Sequence, residues 1–157
     1  MKTVYGWMLS FTLCFLLSME APAQTVAFAE LSQLQAIENR PVIVFIHTRW
    51  CRYCSAMKNS LLNNKSILEL IKRKFYLVML DGEEKNSIRF AGHNFHYKPT
   101  GTDTGTHDLA AQLGTVDGQV SYPSICFLNE NDEIIHQHAG FLDPESLLNL
   151  LKAVSSN

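Results

Sequence analysis

The sequence has little net charge, −2 from 13 Lys and Arg against 15 Asp and Glu, and no run of basic residues. Nucleic acid and anionic membrane surfaces are met by basic stripes or clusters, so neither is indicated as a partner. Cysteine is scarce at four residues, and a single C-x-x-C, Cys51 with Cys54, is present. A structural zinc site needs four ligands, of which one such pair supplies two. The six histidines (47, 93, 96, 107, 136 and 138) have no H-x₃₋₅-H spacing to complete it, and no metal site is read. The Gly/Thr-rich "TGTDTGT" lacks the lysine of a phosphate-binding loop, and no internal repeat is present.

Long apolar runs are also missing, except at the start. Lys2 precedes a mostly apolar stretch from Val4 to Met19, and small residues at Ala21 and Ala23 suit cleavage before Gln24. That stretch is shorter than the roughly 20 residues that span a bilayer. Residues 1–23 are therefore expected to be a secretory signal peptide, and residues 24–157 a single domain of the periplasm or exterior. Cys14 lies inside the apolar run without the small residues that would precede a lipid-modified cysteine. The exported chain keeps Cys51, Cys54 and Cys126, an odd number, so at least one thiol stays outside any internal bridge.

Phe28, Leu31, Leu34 and Ile37 are spaced by threes, which predicts one apolar helix face over 25–39, ended by Arg40 and Pro41. "VIVFI" (42–46) is a continuous apolar, β-branched run, as in a central strand buried on both faces. From Cys51 the pattern turns helical with Met57, Leu61 and Leu62 inward, residues 66–74 continue it, and "FYLVML" (75–80) reads as the next strand. Residues 82–122 resist reading, apart from a short helix at 107–114 closed by Gly114. A loop of that length in a compact domain is functional or disordered. Its aromatics Phe90, Phe95 and Tyr97 either line a substrate surface or pack the insert onto the domain. "SICFL" and "EIIHQH" flank "NEND", a hairpin signal, and "DPESLLNLLKAV" ends the chain as a helix with Asp143 as N-cap and Pro144 in the first turn.

If Cys51 starts a helix, the free N–H groups of the first turn and the positive end of the helix dipole favour its thiolate, and Arg49 and Arg52 add positive charge. Cys54, one turn further in, is within reach but less exposed, and can attack a mixed disulfide formed at Cys51 to release the product. A static disulfide is the alternative. Closing so short a loop restricts the unfolded chain little, which favours a redox purpose.

With "VIVFIHTRWCRYC" as strand, tryptophan and helix-capping cysteine pair, "SYPSICFL" as a strand entered through a proline, and the closing hairpin and helix, the chain resembles the thioredoxin superfamily. The likeness covers essentially all of the sequence after the leader and is nearest to secreted bacterial thioredoxin-like proteins with an enlarged middle section. It implies an α/β thioredoxin fold: a central mixed β-sheet flanked by helices, with an enlarged middle insertion. It further implies that Pro123 is the family's cis-proline beside the active-site disulfide, with Trp50 and Tyr122 shaping the substrate groove.

Three departures stand out. Phe45 occupies the place, six before the first cysteine, where thioredoxins often bury an acid that assists the resolving thiol. Arg52-Tyr53 between the cysteines matches neither Gly-Pro of thioredoxin nor Pro-His of strong periplasmic oxidants, so the direction of electron flow is not read. Tyr122 stands where the family usually has Thr, Val or Ile. His47, Arg49, Arg52 and Tyr53 are candidates for tuning the pair. Cys126, between Ile125 and Phe127, is expected to be a small buried hydrophobe, and His136 with His138 a solvated strand face.

The expectation is an exported thiol:disulfide oxidoreductase acting on protein thiols and disulfides. Cys51 attacks, Cys54 resolves, and the pair itself is the redox group, with no organic cofactor or metal. A membrane thiol relay is the expected electron partner and a monomer the expected state. The competing expectation is a non-catalytic thioredoxin-fold module that holds a partner protein or a soft metal such as Cu(I).

Overall fold

The computed structural model describes residues 25–156; the leader expected over residues 1–23 lies outside the described residues. The elements run α1 (Phe28–Ile37), β1 (Val42–His47), α2 (Arg52–Asn63), α3 (Lys65–Lys74), β2 (Tyr76–Asp81), β3 (Ile88–Phe90), β4 (His93–Phe95), β5 (Tyr97–Pro99) and β6 (Gly105–His107). They continue as α4 (Asp108–Gly114), β7 (Thr115–Val116), β8 (Gln119–Val120), β9 (Ser124–Leu128), β10 (Ile134–Ala139) and α5 (Pro144–Ser155). Four strands form the central mixed sheet in the order β10-β9-β1-β2, with β1 parallel to β2 and antiparallel to β9. The thioredoxin-like α/β architecture read from the sequence is the one observed.

The sheet divides the apolar core into two layers because strand side chains alternate. On one face Ile43, Phe45, Leu77, Ile125 and Phe127 meet Met57 and Leu61 of α2, Ile67, Leu70 and Ile71 of α3, and Leu147 and Leu151 of α5. On the other, Val42, Val44, Ile46, Val78, Leu80, Cys126 and Leu128 meet Leu31 of α1 and Leu109, Ala110 and Leu113 of α4. Residues Val42–Ile46 are fully buried, as a strand covered on both sides must be. Asn64 caps α3 through Ile67 N–H, and Asp143 caps α5 through the N–H groups of Glu145 and Ser146.

Two expectations change. The apolar face of α1 does not extend to Ile37, which is 85% exposed. Each three-residue step drifts by about 60° on a helix of 3.6 residues per turn, so three steps carry Ile37 to the side opposite Phe28. The insert is not a structureless loop but three two-stranded ribbons, β3/β4, β5/β6 and β7/β8, with α4 between the second and third in chain order. Its aromatics pack: Phe90 is buried against Phe28 with ring centroids 5.0 Å apart, Phe95 joins the same core layer, and Tyr97 lies under the Lys85 ammonium, 3.3 Å from the ring centroid. Phe90 and Phe95 thus take the packing role.

Phe127 is fully buried and meets Phe75 edge-on at 6.1 Å. Phe127→Ala is expected to destabilise the protein by about 3–5 kcal/mol in denaturant unfolding. A loss under about 1 kcal/mol would show that α3, α5 and the sheet close over the cavity.

Candidate active site

The carboxyl end of β1 delivers the chain to the start of α2. His47 ends the strand, Thr48 and Arg49 turn, and Cys51 is the N-cap of α2, with its backbone N–H donating to the Thr48 carbonyl at 3.4 Å. Cys51 and Cys54 are joined by a disulfide, their Cα atoms 5.2 Å apart. Cys54 N–H donates to Cys51 Sγ at 3.1 Å. The sulfur at the helix terminus thus sits against a first-turn donor, the placement that stabilises negative charge there. Both cysteines are buried, Cys51 at 6% exposure and Cys54 at 2%, so the outer sulfur is the N-terminal one.

A rim of aromatic side chains surrounds the pair. Trp50 is 66% exposed and meets Tyr122 edge-on at 6.1 Å; Tyr53 is 67% exposed and leans on Phe141 at 5.7 Å. The Tyr122–Pro123 peptide is cis, Pro123 is buried, and the Pro123 carbonyl accepts from Gly140 N–H at 2.8 Å, which ties the start of β9 to the end of β10. Tyr122 packs against both core layers, and burial pushes its phenol upward in pKa. Its ring lies over Gly82, where any Cβ would collide with the phenol end. Gly82 N–H also donates to the His47 carbonyl at 2.7 Å, and the Gly82 carbonyl accepts from His107 N–H at 2.8 Å. One glycine therefore joins β1, the insert and the rim.

The candidate tuning residues separate. Half-buried His47 stacks on Phe45 at 5.7 Å and stands opposite Asp81 in the β1/β2 register. Burial lowers its pKa, Asp81 opposes that shift, and Lys58 adds to it. Arg49 does not lend a free charge to Cys51, because its Nε lies 4.0 Å from Asp81 Oδ2 in an exposed pair. Arg52 is exposed and has no ion pair or hydrogen bond among the described residues. Cys126 is a free, fully buried thiol on the face opposite the disulfide, and burial pushes its pKa up to about 12. His136 leans on Phe127 at 5.9 Å, and among the described residues no group of three His, Cys, Asp or Glu could hold a metal ion. Phe141, Asp81, Thr48 and Gly82 escaped the sequence reading, since they reach the site through sheet register, a turn and the β10–α5 loop. The one local signal was a glycine directly after a strand.

These features, a mixed four-stranded sheet, helices on both faces, and a cysteine pair capping the helix after the central strand, define a thioredoxin-like protein. The profile of the thioredoxin-like domain family matches residues 29–155, and the chain belongs to that family. A comparison with curated protein sequences found no match. Solved structures with the same fold include DsbH oxidoreductase, at 17% identity and TM-score 0.59 over 87% of this chain and 84% of that one. A thioredoxin-fold protein from Helicobacter pylori aligns at 17% identity and TM-score 0.58 over 76% and 71% of the two chains. A disulphide isomerase from Xylella fastidiosa Temecula1 aligns at 15% identity and TM-score 0.55 over 88% and 98%. These likenesses establish the fold.

After reduction, Cys51 is expected to titrate well below the free-cysteine value of about 8.5, because the first-turn N–H groups receive its thiolate. Ultraviolet thiolate absorbance should show a low transition that Cys51→Ser removes; a single transition near the free value would refute this activation. Gly82→Ala is expected to drive the Tyr122 ring off its seat and change the environment of Trp50. In a chain begun at Gln24, Trp50 is the single tryptophan, and its emission reports the shift directly. An unchanged spectrum would show that the ring is accommodated without disturbing the rim.

Proposed function

We propose that the protein is an exported thiol:disulfide oxidoreductase that exchanges disulfides with protein substrates through Cys51 and Cys54. The observation that carries the reading is the Cys51–Cys54 pair at the N-terminus of α2, its outer sulfur receiving the Cys54 N–H and ringed by exposed Trp50, Tyr53 and Phe141. A buried, purely structural bridge has no use for an exposed aromatic rim, whereas docking of an extended peptide does. Cys51 attacks the substrate disulfide and Cys54 then displaces the product from Cys51. Trp50, Tyr122 and Pro123 form the docking surface. The redox group is the cysteine pair itself, without an organic cofactor or metal.

In an oxidising compartment a reducing member of this kind draws electrons from a donor, and a membrane thiol relay is the source we propose. No helix among the described residues is long and apolar enough to cross a membrane. DsbH oxidoreductase and the Xylella disulphide isomerase, similar in fold, are named for thiol chemistry, which accords with the proposal. The alternative of a soft-metal carrier has less behind it: Met57, the nearest methionine in sequence, is fully buried in the core and unavailable as a third ligand.

Trapping tests the reading. Once Cys51 has attacked, release depends on Cys54, so Cys54→Ser isolated under non-reducing conditions is expected to carry covalent adducts that dithiothreitol dissolves. Cys51→Ser should carry few. Absence of adducts on Cys54→Ser, in the organism that makes the protein, would favour the binding module.

A further inference from the structure

Release of product from Cys51 requires Cys54 as a thiolate, yet Cys54 is only 2% exposed. Apolar burial holds a thiol in its protonated form, and Cys126, on the other face of the sheet, is pushed in the same direction. The residue six before Cys51 is the apolar Phe45, so the proton must leave by another route. A cavity of about 200 Å³ provides one, lined by His47, Thr48, Arg49, Cys54, Ser55 and Lys58.

Among those side chains the imidazole of His47 is the one base of near-neutral strength, since Arg49 and Lys58 are cations and Thr48 and Ser55 are hydroxyls. Its ring stacks on Phe45, on the sheet face that also carries Cys51 and Cys54. The charged groups around it are Asp81 from β2, itself paired with Arg49, and Lys58 from α2. Burial, the largest influence, keeps the ring neutral at neutral pH and so free to accept a proton. The cavity has room for several waters at about 30 Å³ each, and a water is stable where two or more polar groups hold it.

We propose that His47 is the proton acceptor for Cys54, acting through water in the cavity that both residues line. The inference rests on the oxidoreductase reading above. With a substrate half joined to Cys51, the Cys54 thiol passes its proton to His47, and the thiolate attacks Cys51 Sγ. The Cys51–Cys54 bond forms as the bond from Cys51 to the substrate sulfur breaks, and the leaving thiolate takes up the proton that His47 gives back. Two cysteine thiols are oxidised to one disulfide, and one substrate disulfide is reduced to two thiols.

The test uses the reduced full chain and glutathione disulfide, with acid quench and mass spectrometry at a series of pH values. Attack by Cys51 gives a glutathione adduct and one free glutathione; release by Cys54 frees the second. In the unaltered protein the release rate should rise through the His47 transition, which burial lowers from the ordinary histidine value, and level off above it. His47→Gln is expected to slow release about 100-fold at pH 7, the low end of general-base contributions, and to remove that plateau, so that the adduct accumulates. Asp81→Asn removes the carboxylate that raises the His47 pKa and should move the midpoint of release to lower pH, which preserves the test if His47→Gln folds poorly. Release at the unaltered rate and pH profile in both variants would overturn the proposal, as would an equal slowing of attack and release. If the unaltered protein forms no adduct at all, the oxidoreductase reading itself falls, and this inference with it.

Discussion

The complete enclosure of Val42–Ile46 in β1 is the constraint on which the remainder depends. It pairs with β2 on one side and β9 on the other, and helices cover both faces, so its backbone and side chains are committed along its whole length. Such a strand has one free direction, out of its carboxyl end, where the chain must turn before it can pack again. The turn at Thr48 to Trp50 delivers Cys51 to the start of α2, and α2 is then held against the same strand by Met57 and Leu61. The helix terminus, with its unpaired N–H groups, is thereby fixed at the edge of the core.

That placement makes two neighbouring sulfurs unequal. Cys51 meets the N–H groups of the first turn, while Cys54 lies one turn deeper among apolar side chains. The same helix that lowers the cost of charge on the outer sulfur raises it on the inner one. The polar groups beside Cys54 stand at the end of β1, where His47 and Thr48 follow the strand and Asp81 faces His47 in the register.

The insert is attached to this site through backbone rather than through a surface of its own. Gly82 bonds to His47 on one side and His107 on the other, and its missing side chain leaves the seat for Tyr122. Tyr122 in turn stands against Trp50. The enlarged middle section therefore bears on the rim of the disulfide while its aromatics remain in the core.

Much of this was legible in the residues themselves. Five consecutive apolar residues at 42–46 specify a strand buried on both faces, Asp143-Pro144 specifies a helix start, and a C-x-x-C beyond a buried strand specifies a cysteine pair at a helix terminus. These are local facts, set by backbone preference and by the period at which apolar side chains recur. The ribbons of the insert are two or three residues long, too short for alternation to show, and they hold by pairing with one another and by burying Phe90 and Phe95. Position relative to the disulfide was also invisible locally. Phe141 reaches Tyr53 from a loop 88 positions on, Asp81 reaches His47 across a parallel pair, and Arg49 turns to Asp81 away from the role its neighbourhood in sequence suggested. The sequence by itself determined which elements form and which two sulfurs are paired, because those follow from propensity, periodicity and spacing. Only the tertiary structure decided which charges, rings and hydroxyls surround them, because sheet register and layer packing bring together residues that no local pattern connects.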